Sequence, residues 1–341
     1  MKAALLREYH HPLELVELPE PEPKRPRDVV VRVGGAGVCA TDLHAIEGLM
    51  EVAGVRVPLV LGHENAGWVH AVGDDVTTAA PGDPVLVYPA YSCGLCVACR
   101  RGVDMHCERH QFTGLTRDGG FAEYVLVDER SLLRLPPGVE PAEVAPHADA
   151  GITAYHAVKK LAPRLAPGTT AAVIGVGGVG HIGLQLVRAL GAGTTIVAID
   201  TDERRRRLAR ELGADEVLGE EGNAADAVRE LTDGKGAGVV FDFVGTDETH
   251  AAGLAMVAGN GVYSVIGYGG TVSVPSVALI AHEVAIAGNL VGSWIDLWEL
   301  LQLHARGEVT LRAETHSLEE VNDVLEALGA GDITGRAVLV P

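Results

Sequence analysis

The sequence predicts an α/β chain of two domains, a doubly wound parallel sheet joined to a barrel-like β domain. Three observations carry this. Up to about residue 150, apolar residues come in short β-branched runs between Gly, Pro and Asp turns; beyond it, strand-length apolar runs alternate with helical patterns; and the first of those later strands ends in a glycine-rich turn. The length of 341 residues agrees with two domains at roughly 150 residues each.

The β region is built from Lys2-Ala-Ala-Leu-Leu, Asp28-Val-Val-Val-Arg-Val, Gly67-Trp-Val-His-Ala-Val and Pro84-Val-Leu-Val-Tyr, each bounded by turn residues. The period then changes. Thr170-Ala-Ala-Val-Ile-Gly leads into a helical pattern, followed by Thr195-Ile-Val-Ala-Ile-Asp, a helix over 204–212, and Val239-Val-Phe-Asp-Phe-Val. Further βα repetition covers 250–257, Gly261-Val-Tyr-Ser-Val-Ile-Gly and 284–291. Residues after about 286 read equally as more sheet or as a return to the first lobe.

Composition is that of a globular protein, with 47% apolar and 21% charged residues, and 43 glycines favour tight turns over bulky packing. The formal charge of -19 repels phosphate backbones and anionic membranes, which argues against a nucleic-acid partner. The most apolar stretch, 171–190, is crowded with glycines and broken by His181 and Arg188, so no membrane span is expected. The basic run 204–207 reads as a solvated helix face.

Four of the five cysteines, Cys93, Cys96, Cys99 and Cys107, fall within fifteen residues. Four soft thiolates at that spacing can enclose a tetrahedral Zn²⁺ with no open position, as a structural site requires. Two disulfides are the alternative. The opening Met1-Lys-Ala-Ala-Leu-Leu has no charged-then-apolar leader, so a cytoplasmic, reducing location is expected and zinc is preferred.

The glycine-rich turn is Gly175-Val-Gly177-Gly178-Val179-Gly180, after a strand and before an amphipathic helix, with Asp200 twenty residues beyond at the end of the next strand. This is the Rossmann dinucleotide fingerprint in its required setting. Gly175 permits the turn, Gly177 admits the pyrophosphate, Gly180 brings helix onto strand, and the helix N-terminus offers free N–H groups. Asp200 would accept from the adenosine ribose and repel a 2′-phosphate, favouring NAD over NADP, although a helix-capping role is the plainer alternative and Arg205 nearby could meet a phosphate.

In the first lobe, Cys39-Ala-Thr41-Asp42-Leu-His44 and Gly62-His63-Glu64 place a thiolate, an imidazole and a carboxylate in loops between β segments. These are zinc-ligand types. Taken singly, each has a plainer reading as a buried small residue, a hydrogen-bonded histidine or a surface acid. In order along the chain, these motifs, the cysteine cluster and the glycine turn resemble the zinc-dependent medium-chain alcohol dehydrogenases over essentially the whole sequence. Asp149-Ala-Gly-Ile-Thr-Ala-Tyr-His156 and Ile333-Thr-Gly-Arg336-Ala-Val are most similar to the bacterial NAD-dependent secondary alcohol dehydrogenases.

The resemblance implies a GroES-like catalytic domain over 1–149 and 286–341, a Rossmann domain over 150–285, two zinc ions per chain, and a homodimer or homotetramer. It implies that Cys39, His63 and Asp149 hold a catalytic zinc, with Asp149 where many relatives have a second Cys and Glu64 as an exchangeable ligand; a helix cap is the plainer reading of Asp149. Such a zinc lowers the pKa of an alcohol, and hydride passes to NAD in the cleft between the lobes. Thr41 would take the proton and His44 deliver it outward, as its ordinary pKa of about 6.5 allows. Asp42 would orient His63. Thr153, Val179, Val244 and Gly267 would touch the cofactor, and Arg336 its pyrophosphate. Trp294 stands where relatives often have an arginine.

Secondary alcohols and their ketones are the expected substrates, with primary, benzylic and polyol alcohols as alternatives. A zinc-free reductase of the same superfamily and a redox-inactive nucleotide-binding structural protein are the competing functions.

Overall fold

The computed structural model describes residues 1–219 and 223–341. The chain divides into two compact units: 1–152 with 292–306 and 311–341, and 153–291 with 307–310.

The first unit is β-rich. Its principal sheet runs Leu132–Arg134, Pro84–Val87, Glu64–Val72, Asp28–Val38, Arg336–Val340, Ala313–Ser317, and Tyr124–Asp128 also pairs with Asp28–Val38. That eleven-residue strand serves three neighbours because Tyr124–Asp128 and Arg336–Val340 take successive lengths of it, 28–32 and 36–38, and its register shifts twice against Glu64–Val72, between Val30 and Val31 and between Val33 and Gly35. Bulges of this kind bend a strand and let a sheet curl. The curl encloses Val29, Val31, Leu61, Val87, Phe121 and Leu339, all buried. At its far end the strand pairs Ala337 with Val38, which delivers the C-terminal strand beside Cys39.

The second unit carries six parallel strands in the order Glu216–Leu218, Thr195–Ile199, Thr170–Ile174, Ala237–Asp242, Val257–Val265, Ala285–Gly288. The order reverses between Thr170–Ile174 and Ala237–Asp242, the switch point at which such sheets bind ligands beyond their carboxyl ends. Ala172, Val197, Val240 and Tyr263 are among the buried residues of this core, as a sheet covered on both faces requires.

The expected boundary at 286 moves to 292. Ala285–Gly288 completes the parallel sheet by pairing with Val257–Val265, so the chain leaves that unit only afterwards. Residues 307–310 also group with the second unit, held by Gln185, whose amide both accepts from Thr310 N and donates to Thr310 O. Among the described residues no helix is long and apolar enough to cross a membrane.

Candidate active site

Cys39 follows directly on Asp28–Val38, and Glu64 opens the neighbouring strand with His63 before it. Thr41, Asp42 and His44, expected in a loop, lie on a short helix, Ala40–Ile46. Asp42 forms that helix's first turn: its carboxylate accepts from Cys39 N at 2.9 Å, and its own N–H donates to Cys39 O. Thr41 and His44 are three positions apart and so share a face. Both are half-buried, and burial lowers the His44 pKa from its ordinary value. Asp149 sits between the turn Ala145–Ala148 and the helix Ala150–Leu161.

These elements bring one ligand atom each from Cys39, His63, Glu64 and Asp149 within 4.8 Å of one another. The donor set is one thiolate, one imidazole and two carboxylates, a set that suits Zn²⁺. His63 supplies the test of fit. It is buried, its Nε2 lies 3.5 Å from Asp149 Oδ2, and neither ring nitrogen has a well-directed hydrogen-bond partner among the described residues. An imidazole nitrogen does not stay buried and unbonded without a further partner, and a metal at the centre of this group supplies one. Burial opposes the His63 cation, but Asp42 and Asp149 outweigh it and raise its pKa well above the ordinary value, so the pocket is built to receive positive charge.

Glu64 is fully buried, and burial pushes its carboxyl up to about 7 despite the Arg336 cation. Its Oε1 accepts from Ala150 N at 2.9 Å, and its Oε2 takes the Arg336 guanidinium. Space for this carboxylate comes from Gly37, where a Cβ would lie 2.0 Å from Glu64 Oε2. Arg336, expected at a pyrophosphate, is 3% exposed and bonded to Glu64. Pairing of its strand with Asp28–Val38 sets it there, and a buried cation needs this counter-charge.

Cys93, Cys96, Cys99 and Cys107 also converge, with sulfur separations of 3.9 Å for Cys93–Cys99, 3.5 Å for Cys96–Cys99 and 4.0 Å for Cys96–Cys107. A tetrahedral Zn–S site with bonds near 2.3 Å has edges of about 3.8 Å, so the four sulfurs fit zinc as they stand. Backbone N–H groups of Leu95 and Cys96 point at Cys93 Sγ and bring that thiol down to about 6, favouring the thiolate that zinc needs. Trp294 lies in this unit; its backbone N donates to Asp104 Oδ1 and its indole to Leu132 O.

In the second unit Gly175 has φ 82°, and a Cβ on Gly180 would stand 1.8 Å from Gly175 O, so both glycines are demanded by the turn. Gly177, Gly178 and Val179 are half-buried at the start of the helix Gly180–Leu190. Asp200 reaches back to the turn, accepting from Val176 N at 2.7 Å, and the Arg205 guanidinium carbon lies 4.0 Å from where a Gly177 Cβ would be. Val244 and Gly267 stand beyond the carboxyl ends of Ala237–Asp242 and Val257–Val265, while Thr153 O accepts from Asn289. Sequence reasoning missed Gly37, whose role depends on a strand pairing, and the acid Asp242, although an acid ending an apolar strand before Phe-Val-Gly was a visible signal.

Residues 25–137 match the alcohol dehydrogenase GroES-like domain family, and residues 178–306 the zinc-binding dehydrogenase family. The D-arabinose 1-dehydrogenase (NADP(+)) of Saccharolobus solfataricus is 35% identical over all of this chain and 97% of its own length. An NAD-dependent alcohol dehydrogenase of Sulfurisphaera tokodaii is 34% identical over the full length of both. The crystal structure of the alcohol dehydrogenase from Aeropyrum pernix superposes with a TM-score of 0.96 at 43% identity, covering both chains completely.

Proposed function

Since the chain belongs to the zinc-dependent medium-chain alcohol dehydrogenase family, we propose that it transfers hydride reversibly between a secondary alcohol and NAD⁺, giving the ketone. The observation that carries this reading is the cluster of buried Cys39, His63 and Glu64 with half-buried Asp149, around an imidazole whose nitrogens make no hydrogen bond among the described residues. Cys39, His63 and Asp149 would hold the zinc, and Glu64 would join when it leaves Ala150 and Arg336. Zinc bound there supplies Lewis acidity that makes an alcohol easier to deprotonate. Asp42 fixes His63, Thr41 receives the alcohol proton, and His44, neutral and half-buried on the same helix face, passes it outward. The four cysteines hold the second zinc, which fastens the 93–107 lobe.

Gly175, Gly177, Gly178, Val179 and Asp200 would bind NAD, joined by Thr153, Arg205, Val244 and Gly267. A 2′-phosphate would bring its charge against Asp200, which supports NAD. One observation favours a second reading, NADP⁺ with a sugar or polyol: Arg205 lies against the glycine turn, where a phosphate would find a cation.

The edge strand Ala285–Gly288 and the helix before it expose Val277, Ile280 and Ile286, with Leu290 beyond, which supports a homodimer or homotetramer. Free thiols at all five cysteines support the cytoplasm. The test is initial rates with NAD⁺ and NADP⁺ across secondary, primary, benzylic and polyol alcohols. Faster NAD⁺ reduction by secondary alcohols is expected; preference for NADP⁺ and polyols would select the second reading, and turnover of none would refute both.

A further inference from the structure

Asp242 ends the strand Ala237–Asp242 at the switch point, fully buried, and every oxygen it has is engaged. Its Oδ1 accepts from Val244 N at 2.9 Å and Gly245 N at 3.0 Å. Its backbone carbonyl accepts from Ile266 N at 3.0 Å and Gly267 N at 2.9 Å. One residue therefore anchors both turns that follow the two strands beyond the switch point. Those turns also touch each other: Gly270 N donates to Gly245 O, and a Cβ on Gly245 would lie 2.2 Å from the Gly267 carbonyl carbon.

The remaining oxygen, Oδ2, accepts from the buried Tyr263 hydroxyl at 2.6 Å, and His250 Nδ1 stands 2.6 Å from that hydroxyl and 3.4 Å from Oδ2. With the phenol donating to the carboxylate, His250 donates to the phenol. Burial and the neighbouring Asp242 raise the Tyr263 pKa, keeping it a neutral donor. The ring is received by the helix Asp247–Met256 at Gly253, where a Cβ would stand 2.4 Å from Tyr263 Cε2. A buried carboxylate, phenol and imidazole this far inside a core exceed what packing needs, since an apolar trio would avoid their desolvation.

A dinucleotide lies across a switch point with one half over each side of the sheet. Asp200, ending Thr195–Ile199, marks the adenosine side, so the other half meets the ends of Ala237–Asp242 and Val257–Val265. We propose that Asp242 is a positioning residue for the nicotinamide half of the cofactor, setting residues 243–245 and 266–270 together while Tyr263 and His250 fix its carboxylate. The inference rests on the dehydrogenase reading above.

The experiment is direct binding titration of the full chain with NAD⁺ and with ADP-ribose, which lacks the nicotinamide, for the wild type, Tyr263→Phe and His250→Leu, with melting temperature followed alongside. Loss of one buried hydrogen bond to a charged group predicts a roughly ten-fold weaker Kd for NAD⁺ in Tyr263→Phe and a change within about two-fold for ADP-ribose. His250→Leu is expected to shift the same ratio in the same direction, and serves if Tyr263→Phe does not fold. Equal weakening of both ligands, or of neither, would overturn the inference by reducing the network to a structural role. Failure of the wild type to bind either ligand would instead overturn the dinucleotide reading itself.

Discussion

His63 Nδ1 lies 3.2 Å from Asp42 Oδ1, both side chains being sealed from solvent, while the opposite ring nitrogen faces Asp149. One carboxylate thus stands at each ring nitrogen. Neither contact has hydrogen-bond geometry, yet the distance leaves Asp42 as the group that would select the ring tautomer offering Nε2 to a metal. Asp42→Asn removes that selection and keeps the shape. The expected result is zinc affinity at the catalytic site weaker by about 10- to 100-fold, read by competition with a chromogenic chelator, with the four-cysteine zinc unaffected.

Asp149→Ala takes away one of two carboxylates from the catalytic cluster and nothing from the cysteine cluster. It should abolish turnover and lower the zinc count by one ion per chain, with melting temperature changed little. His63→Ala should do the same. Activity retained in either variant would remove these ligands from the assignment. Cys96→Ser should act in the reverse order, lowering stability first, because the 93–107 lobe relies on its metal.

Gly37→Ala tests the Glu64 pocket. The new methyl would fall 2.0 Å from Glu64 Oε2, so the carboxylate must leave Arg336 or the strand must move. Separating a buried ion pair costs about 3–5 kcal/mol, and the variant should lose thermal stability while Glu64, freed from Arg336, leaves the catalytic zinc count unchanged. A variant with wild-type melting would show that the Glu64–Arg336 pair does not depend on the space at Gly37.

Glu129 predicts a pH dependence outside the active site. Burial alone would raise its pKa, but the N–H and hydroxyl groups of Thr77 and Thr78 outweigh it and hold the carboxyl below its ordinary 4.5. A carboxylate depressed in the folded state stabilises above its unfolded pKa and loses that contribution as pH falls through the folded one. Glu129→Gln should therefore lower stability at pH 7, and the melting-temperature gap from wild type should narrow as pH drops below 4.5. A gap constant with pH would assign the effect to packing.

What the sequence disclosed and what it hid follow from distance along the chain. The glycine turn, its strand and Asp200 lie within one βαβ unit, and the four cysteines within one loop, so local spacing carried them. The catalytic cluster joins residues 39, 63, 64 and 149, which no local pattern connects; the family resemblance supplied that grouping. The pairing of Arg336 with Glu64 was not legible because the two are 272 positions apart and only strand pairing brings them together. The same holds for Gly37, whose role as space for Glu64 depends on the pairing of two strands. The late boundary shifted because Ala285–Gly288 is short and largely exposed, giving little apolar signal to place it in either unit.

The most direct measurement is the initial rate of NAD⁺ reduction by a secondary alcohol, followed as NADH absorbance, before zinc removal, after it, and after stoichiometric zinc is returned. Loss on removal and recovery on return are the results this account predicts. Undiminished turnover in protein shown to lack zinc, or no turnover in protein shown to carry two ions per chain, would contradict it.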